Sequence, residues 1–130
     1  MEPTINSGSH LAESADISSS RFHDVNLSNS EFNDVNMSNV TFHNINLSDI
    51  SVSAAQIGGA KFKHIGLPPD KNGKQDKQRP VQFEEMMLND STFKKVDLSN
   101  VEIIDCNIEG MKIDGISVQG MLDAYHNKNS

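Results

Sequence analysis

The side chains able to do chemistry are few, and their spacing decides how far each can be taken. His23 and His43 stand twenty residues apart, an interval that the repeat set out below would bring within reach of one metal ion. No carboxylate or thiol completes a ligand set beside them, and Lys63 is the next member of that series, so no metal is expected. Cys106 is the only cysteine. It excludes an intramolecular disulfide, fits a reducing compartment and falls where the repeat places a small inward residue. The run Asp70-Lys71-Asn72-Gly73 lacks the ligand spacing of a calcium-binding hand. Sequons such as Asn26-Leu27-Ser28 arise from the repeat itself. With no Ser–His–Asp grouping, phosphate loop or paired acid and base, the residues point away from an enzyme and from any cofactor.

What positions these residues is a short chain of lean composition. It has 130 residues, 35% of them hydrophobic, with no Trp and one Tyr, which suits one domain with a narrow core built from small repeated contributions. A formal charge of −7 argues against direct nucleic-acid binding, which rests on Lys and Arg neutralising phosphate. The first fourteen residues carry neither a basic region nor an apolar stretch, and no later segment approaches the roughly 20 apolar residues of a membrane helix. A soluble, cytoplasmic protein without membrane contact is the expectation.

Self-similarity appears at a period of five. Large apolar residues stand at Ile17, Phe22, Leu27, Phe32, Met37, Phe42, Leu47, Val52, Ile57, Phe62 and Leu67, then at Phe83, Leu88, Phe93, Leu98, Ile103, Ile108, Ile113 and Val118. Each is the centre, i, of a unit whose i−2 residue is usually smaller, as with Val25, Val35, Ala60, Val96 and Cys106, and whose other positions are mostly polar. Five helical residues advance about 500°, a drift of some 140° per unit that would smear the apolar stripe around a helix. A flat strand fails as well, because an odd repeat sends the next apolar pair to the opposite face. The chain must therefore turn between units. Four right-angled turns in one sense close a square coil with i and i−2 facing its axis, and coils stacked at roughly 4.8 Å would give a rod on the order of 20 Å tall.

Units such as VNLSN (25–29), VNMSN (35–39), INLSD (45–49) and VDLSN (96–100) resemble the pentapeptide-repeat family. The resemblance runs through 15–67 and 81–118 and implies an all-β fold, a right-handed four-sided β-helix solenoid of about five coils. Val, Ile and Met at many i−2 positions depart from the Ala the family prefers, and that bulk has to be accommodated by local widening or rotation.

Three segments follow: 1–14 as an N-terminal lid or disordered stretch with Ile5 and Leu11 as candidate plugs, 15–118 as the coil, and 119–130 as a C-terminal capping helix and tail. Met121, Leu122 and Tyr125 share one face of a short helix within VQGMLDAYHNK (118–128). Between Leu67 and Phe83 the run PPDKNGKQDKQRP (68–80) has no apolar residue and reads as a projecting loop. It is an insertion of 11 residues that leaves Phe83 on the next side of the square. That register stacks Phe22, Phe42, Phe62 and Phe93 in one column, and Leu27, Leu47, Leu67 and Leu98 in the next.

Unrolled, the Phe side carries Arg21, His23, His43, Lys61, Lys63, His64, Lys94, Lys95 and Lys112 against Asp24 and Asp114, and the opposite side carries Glu31, Asp34, Glu84, Glu85, Glu102 and Asp105. The loop adds Lys71, Lys74, Lys77 and Arg79 against Asp70 and Asp76. These charges are either a solvated surface or contact points for a protein partner, a second copy included, with a homodimer through the C-terminal end as one form. The expected function is a non-enzymatic interaction or scaffold module. The family resemblance also implies an alternative, a DNA mimic that occupies DNA gyrase as the quinolone-resistance proteins do. The basic loop and basic side imitate phosphate poorly.

Overall fold

The structure, a computed structural model, describes residues 4–129, so the first three residues of the expected lid 1–14 and the last of the tail lie outside it. Backbone contacts divide the chain into two units, Met1–Ala60 and Lys61–Ser130.

In the first unit the chain turns at every fifth residue. Ser14, Ser19, Asp24, Asn29, Asp34, Asn39, Asn44, Asp49, Ala54 and Gly59 all have left-handed backbone, with φ between 51° and 80°. From Ser19 on, each stands at i+2 of its repeat, and Ser14 carries the same spacing back into the expected lid. Asn, Asp and Gly dominate the column because they tolerate this conformation, whereas other L-residues bring Cβ against the following carbonyl. Successive corners are of two kinds. At Leu27, Met37, Leu47 and Ile57 the central carbonyl accepts a hydrogen bond from the N–H three residues on, at 2.9–3.3 Å, and with a left-handed i+2 residue this is a type II turn. Before three of these turns the side chain at i−1 adds a clamp. Asn26, Asn36 and Asn46 accept from the N–H of Ser28, Ser38 and Ser48, each at 2.9 Å. Asp16 clamps Ser18 in the same way at 3.0 Å. Between the clamped corners lie open ones, centred on Phe22, Phe32, Phe42 and Val52. These bend at their left-handed residue, and among the described residues no i→i+3 bond closes them.

The second unit continues to His64 and then breaks off at a residue that cannot make a corner. Position i+2 after Leu67 is Pro69, and the proline ring fixes φ near −65°. Left-handed corners resume at Glu85 and recur at Asp90, Lys95, Asn100, Asp105 and Gly110. The alternation resumes in step: Phe83 centres an open corner, Leu88 a closed one, and Leu98 and Ile108 are closed and clamped by Asp97 and Asn107 at 2.9 Å. This phase is the one required if Phe83 takes the place after Leu67.

The array ends differently from a further coil. Asp114 and Gly115 both have positive φ, 49° and 80°, and connect β1 (Lys112–Ile113) to β2 (Ile116–Ser117) in an antiparallel hairpin with Ile113 opposite Ile116. Two consecutive left-handed residues suit the tight turn that matches strand twist. Ser117 then caps α1 (Val118–Lys128), its Oγ accepting from the N–H of Gly120 at 3.0 Å, while His126 and Lys128 sit favourably at the negative end of the helix dipole.

The expected enclosure of the apolar centres is not found. The chain exposes 14271 Å², whereas a compact monomer of its mass exposes roughly 6,800 Å². Phe22 and Phe42 are each 55% exposed, and no described residue is buried. Within the first unit, Phe22 does not come to rest on Phe42 nor Leu27 on Leu47, since close backbone approaches are almost entirely between residues fewer than twelve apart. The physical reason is the range of the forces at work. Turn bonds and side-chain clamps are completed within one unit, but burial of a coil face requires residues twenty apart to meet.

Candidate interaction surface

The clamp and the charges compete for the same positions. A clamped unit commits i−1 to Asn or Asp and i+1 to a donating N–H, most often that of Ser, so those positions carry little free charge. Among the described residues an open unit has no such clamp from i−1 to the N–H of i+1. Lys61, Lys63, Lys94, Glu31, Asp34, Glu84, Glu85, Glu102 and Asp105, all expected to meet a partner, belong without exception to open units, and all are exposed. Three of them have a second role: Asp34, Glu85 and Asp105 are themselves the left-handed corner residues, with φ of 54°, 53° and 52°.

The loop is ordered by its own backbone. Asp70 accepts through Oδ1 from the N–H of Asn72 at 2.9 Å and of Lys74 at 2.8 Å. Its N–H donates to the Lys74 carbonyl and its carbonyl accepts from the N–H of Gly73, both at 2.9 Å, with Gly73 left-handed at φ 78°. The Gln75 side-chain amide donates to the carbonyl of Leu67, the group that in Leu27 or Leu47 accepts the turn bond. A side chain thus replaces the corner that Pro69 prevents. Lys71, Lys74, Lys77 and Arg79 are all exposed on this segment.

Two clamps are ionisable. The hydroxyl and then the N–H of Ser99 hold the Asp97 carboxyl below its usual range, with Lys77 adding a smaller pull. The Ser18 N–H, then its hydroxyl, lowers Asp16.

At the C-terminal end, Ile103, Cys106, Ile108, Met111, Val118 and Leu122 line a hollow of about 300 Å³, and Val118 N–H donates to the Met111 carbonyl at 3.1 Å. Ile108, Met111 and Val118 are half-buried there, so α1 gives the repeats some of the best cover in the described chain. Cys106, expected as an inward core residue, is exposed, with Sγ 3.2 Å from the Ile104 carbonyl. Ile5 shares a second hollow with Ile17 and Phe22, but neither it nor Leu11 closes that end, and Leu11 is 84% exposed. His23 contacts Asp24 at 3.3 Å rather than His43. Among the described residues no three His, Cys, Asp or Glu are grouped to hold a metal, and no helix is long and apolar enough to cross a membrane.

Sequence reasoning found the charged residues and missed the alternation that sorts them. The signal was present: Asn or Asp at 16, 26, 36 and 46 recurs every ten residues, and again at 97 and 107. The family profile for pentapeptide repeats matches residues 13–51, in eight copies. No curated protein and no solved structure matches the chain.

Proposed function

This chain is a pentapeptide-repeat protein, and from that premise we propose that it is a non-enzymatic interaction or scaffold module whose partner meets the charged side chains of the open corners. The observation that carries the reading is the segregation of charge: alternate units spend their polar side chains on holding the backbone, and the units between them present exposed Lys, Glu and Asp. The working form in this reading is the closed right-handed four-sided β-helix. Left-handed corners at every fifth residue support it, as does the apolar face that only stacking would cover.

Closure is tested by cross-linking. In a Cys106→Ser background, cysteines at His23 and His43 would lie one coil apart, at roughly 4.8 Å between strands, and oxidise readily to a disulfide. Failure to cross-link in dilute protein removes the coil. Function is tested by capture: immobilised protein should retain a partner that Glu84→Lys with Glu102→Lys releases, whereas Ser28→Ala and Ser48→Ala on clamped corners should not release it. Equal loss in both sets would sink the assignment of the open corners.

One observation favours the second reading, a mimic of DNA acting on gyrase. Residues 4–60 hold six acids and a single base, Arg21. A gyrase supercoiling assay with and without quinolone decides it, and no effect at micromolar protein removes mimicry. Exposed Met121, Leu122 and Tyr125 on α1 supply a further surface through which two copies could meet.

A further inference from the structure

Charge runs along this chain in blocks. The six acids of residues 4–60 are Glu13, Asp16, Asp24, Glu31, Asp34 and Asp49. Residues 61–80 reverse the sign, with six bases against Asp70 and Asp76. Both acids of the basic block are engaged by its own backbone, Asp70 as described and Asp76 by the N–H of Lys77 at 3.2 Å. The exposed lysines Lys71 and Lys74 therefore stand on a turn already closed by four hydrogen bonds, and docking would freeze little further backbone.

We propose that the basic block 61–80 docks on the acidic N-terminal repeats of a second copy of this chain. The inference rests on the reading of the chain as an interaction module and names the partner. Charge complementarity selects the occupant. Each copy carries both halves of the contact, an ordered basic turn and a run of repeats in which Glu13 and Glu31 are exposed. Glu31 also sits at i−1 of an open corner, where no clamp uses it. The sign of the basic block alone would also suit a polyanion, but a polyanion meets repulsion from the rest of a chain of net charge −7. A second copy offers an acidic surface to the basic block and a basic block to the acidic surface. Its own excess charge weakens the contact without changing where it forms.

Sedimentation of the full chain over a range of concentrations tests this. At about 0.01 M salt the mass should rise with concentration, and at about 0.15 M it should fall towards the monomer, because the screening length drops from about 30 Å to about 8 Å. Lys71→Glu with Lys74→Glu, and separately Glu13→Lys with Glu31→Lys, should each abolish the rise. None of the four side chains serves a clamp or a left-handed corner, and unchanged far-UV circular dichroism checks that the fold is kept. An equimolar mixture of the two variants should associate again, because each then carries the complement of the other. Association that persists in salt overturns the proposal in favour of the apolar C-terminal end. A mixture that fails to associate, or a mass independent of concentration at low salt, also overturns it. These outcomes leave the interaction reading to its own capture test.

Discussion

Clamped and open corners bend the same backbone by different means. At Leu27, Met37, Leu47, Leu98 and Ile108 a type II bond and an Asn or Asp side chain fix the turn together, and the left-handed residue is always Asn, Asp or Gly. At the open corners neither bond forms, and the left-handed column admits Ala54, His64, Glu85 and Lys95. A corner held by its own hydrogen bonds constrains its sequence; a corner without them is free to vary and to carry charge. Alternate units are thus given to architecture and to surface.

The largest effect should come from making a clamped corner refuse its conformation. Asn100→Val puts a β-branched residue at φ 61°, and the clash of its Cβ should cost about 1–2 kcal/mol, read as a lower Tm for the full chain. The same change at Glu85 should cost less, because that position already holds a residue type that φ 53° does not favour. Equal losses would erase the distinction between the corners.

Next comes the clamp itself. Asn36→Ala removes the acceptor for Ser38 N–H and should cost about 1 kcal/mol. Thr41→Ala, at the same position of the neighbouring open unit, should stay within about 0.5 kcal/mol. A smaller gain should follow from giving an open corner the residue a clamped one uses. Lys95→Asn at φ 57° relieves strain and should stabilise by about 0.5 kcal/mol in denaturant melts. No gain there would mean the backbone at Lys95 is not held left-handed in solution.

The part of this arrangement that could be read in the sequence is the local part. The five-residue rhythm located the corners, and the spacing of Met121, Leu122 and Tyr125 located α1. What escaped was governed by single residues or by distance. Pro69 ends the first array because it occupies the left-handed position, and Asp114-Gly115 converts the last two expected units into a hairpin and the start of α1, although Ile113 and Val118 keep the apolar rhythm. The ten-residue recurrence of Asn and Asp was legible but hidden under a stronger period of five. Enclosure was not legible at all, because a five-residue motif specifies its own turn and says nothing about whether residues twenty away come to rest on it.

The smallest effect separates clamps that can titrate from those that cannot. The carboxyl of Asp97, and that of Asp16, is held below the ordinary value of 3.8 by hydrogen bonds that favour its charged form. A group with a depressed folded value contributes stability above its unfolded value and loses it as pH falls through the folded one. The Asp97 clamp should therefore be at full strength at neutral pH and should weaken only below about pH 4. The clamps of Asn26, Asn36, Asn46 and Asn107 have no proton to gain and should hold across that range. Asp97→Asn keeps an acceptor for the Ser99 N–H and removes the titration. The variant should melt slightly below the parent at neutral pH, since a charge-assisted bond becomes a neutral one, and the gap should close on acidification. A gap that stays constant from pH 7 to pH 3 would mean that Asp97 is not ionised in its clamp, and that Ser99 is held by geometry alone.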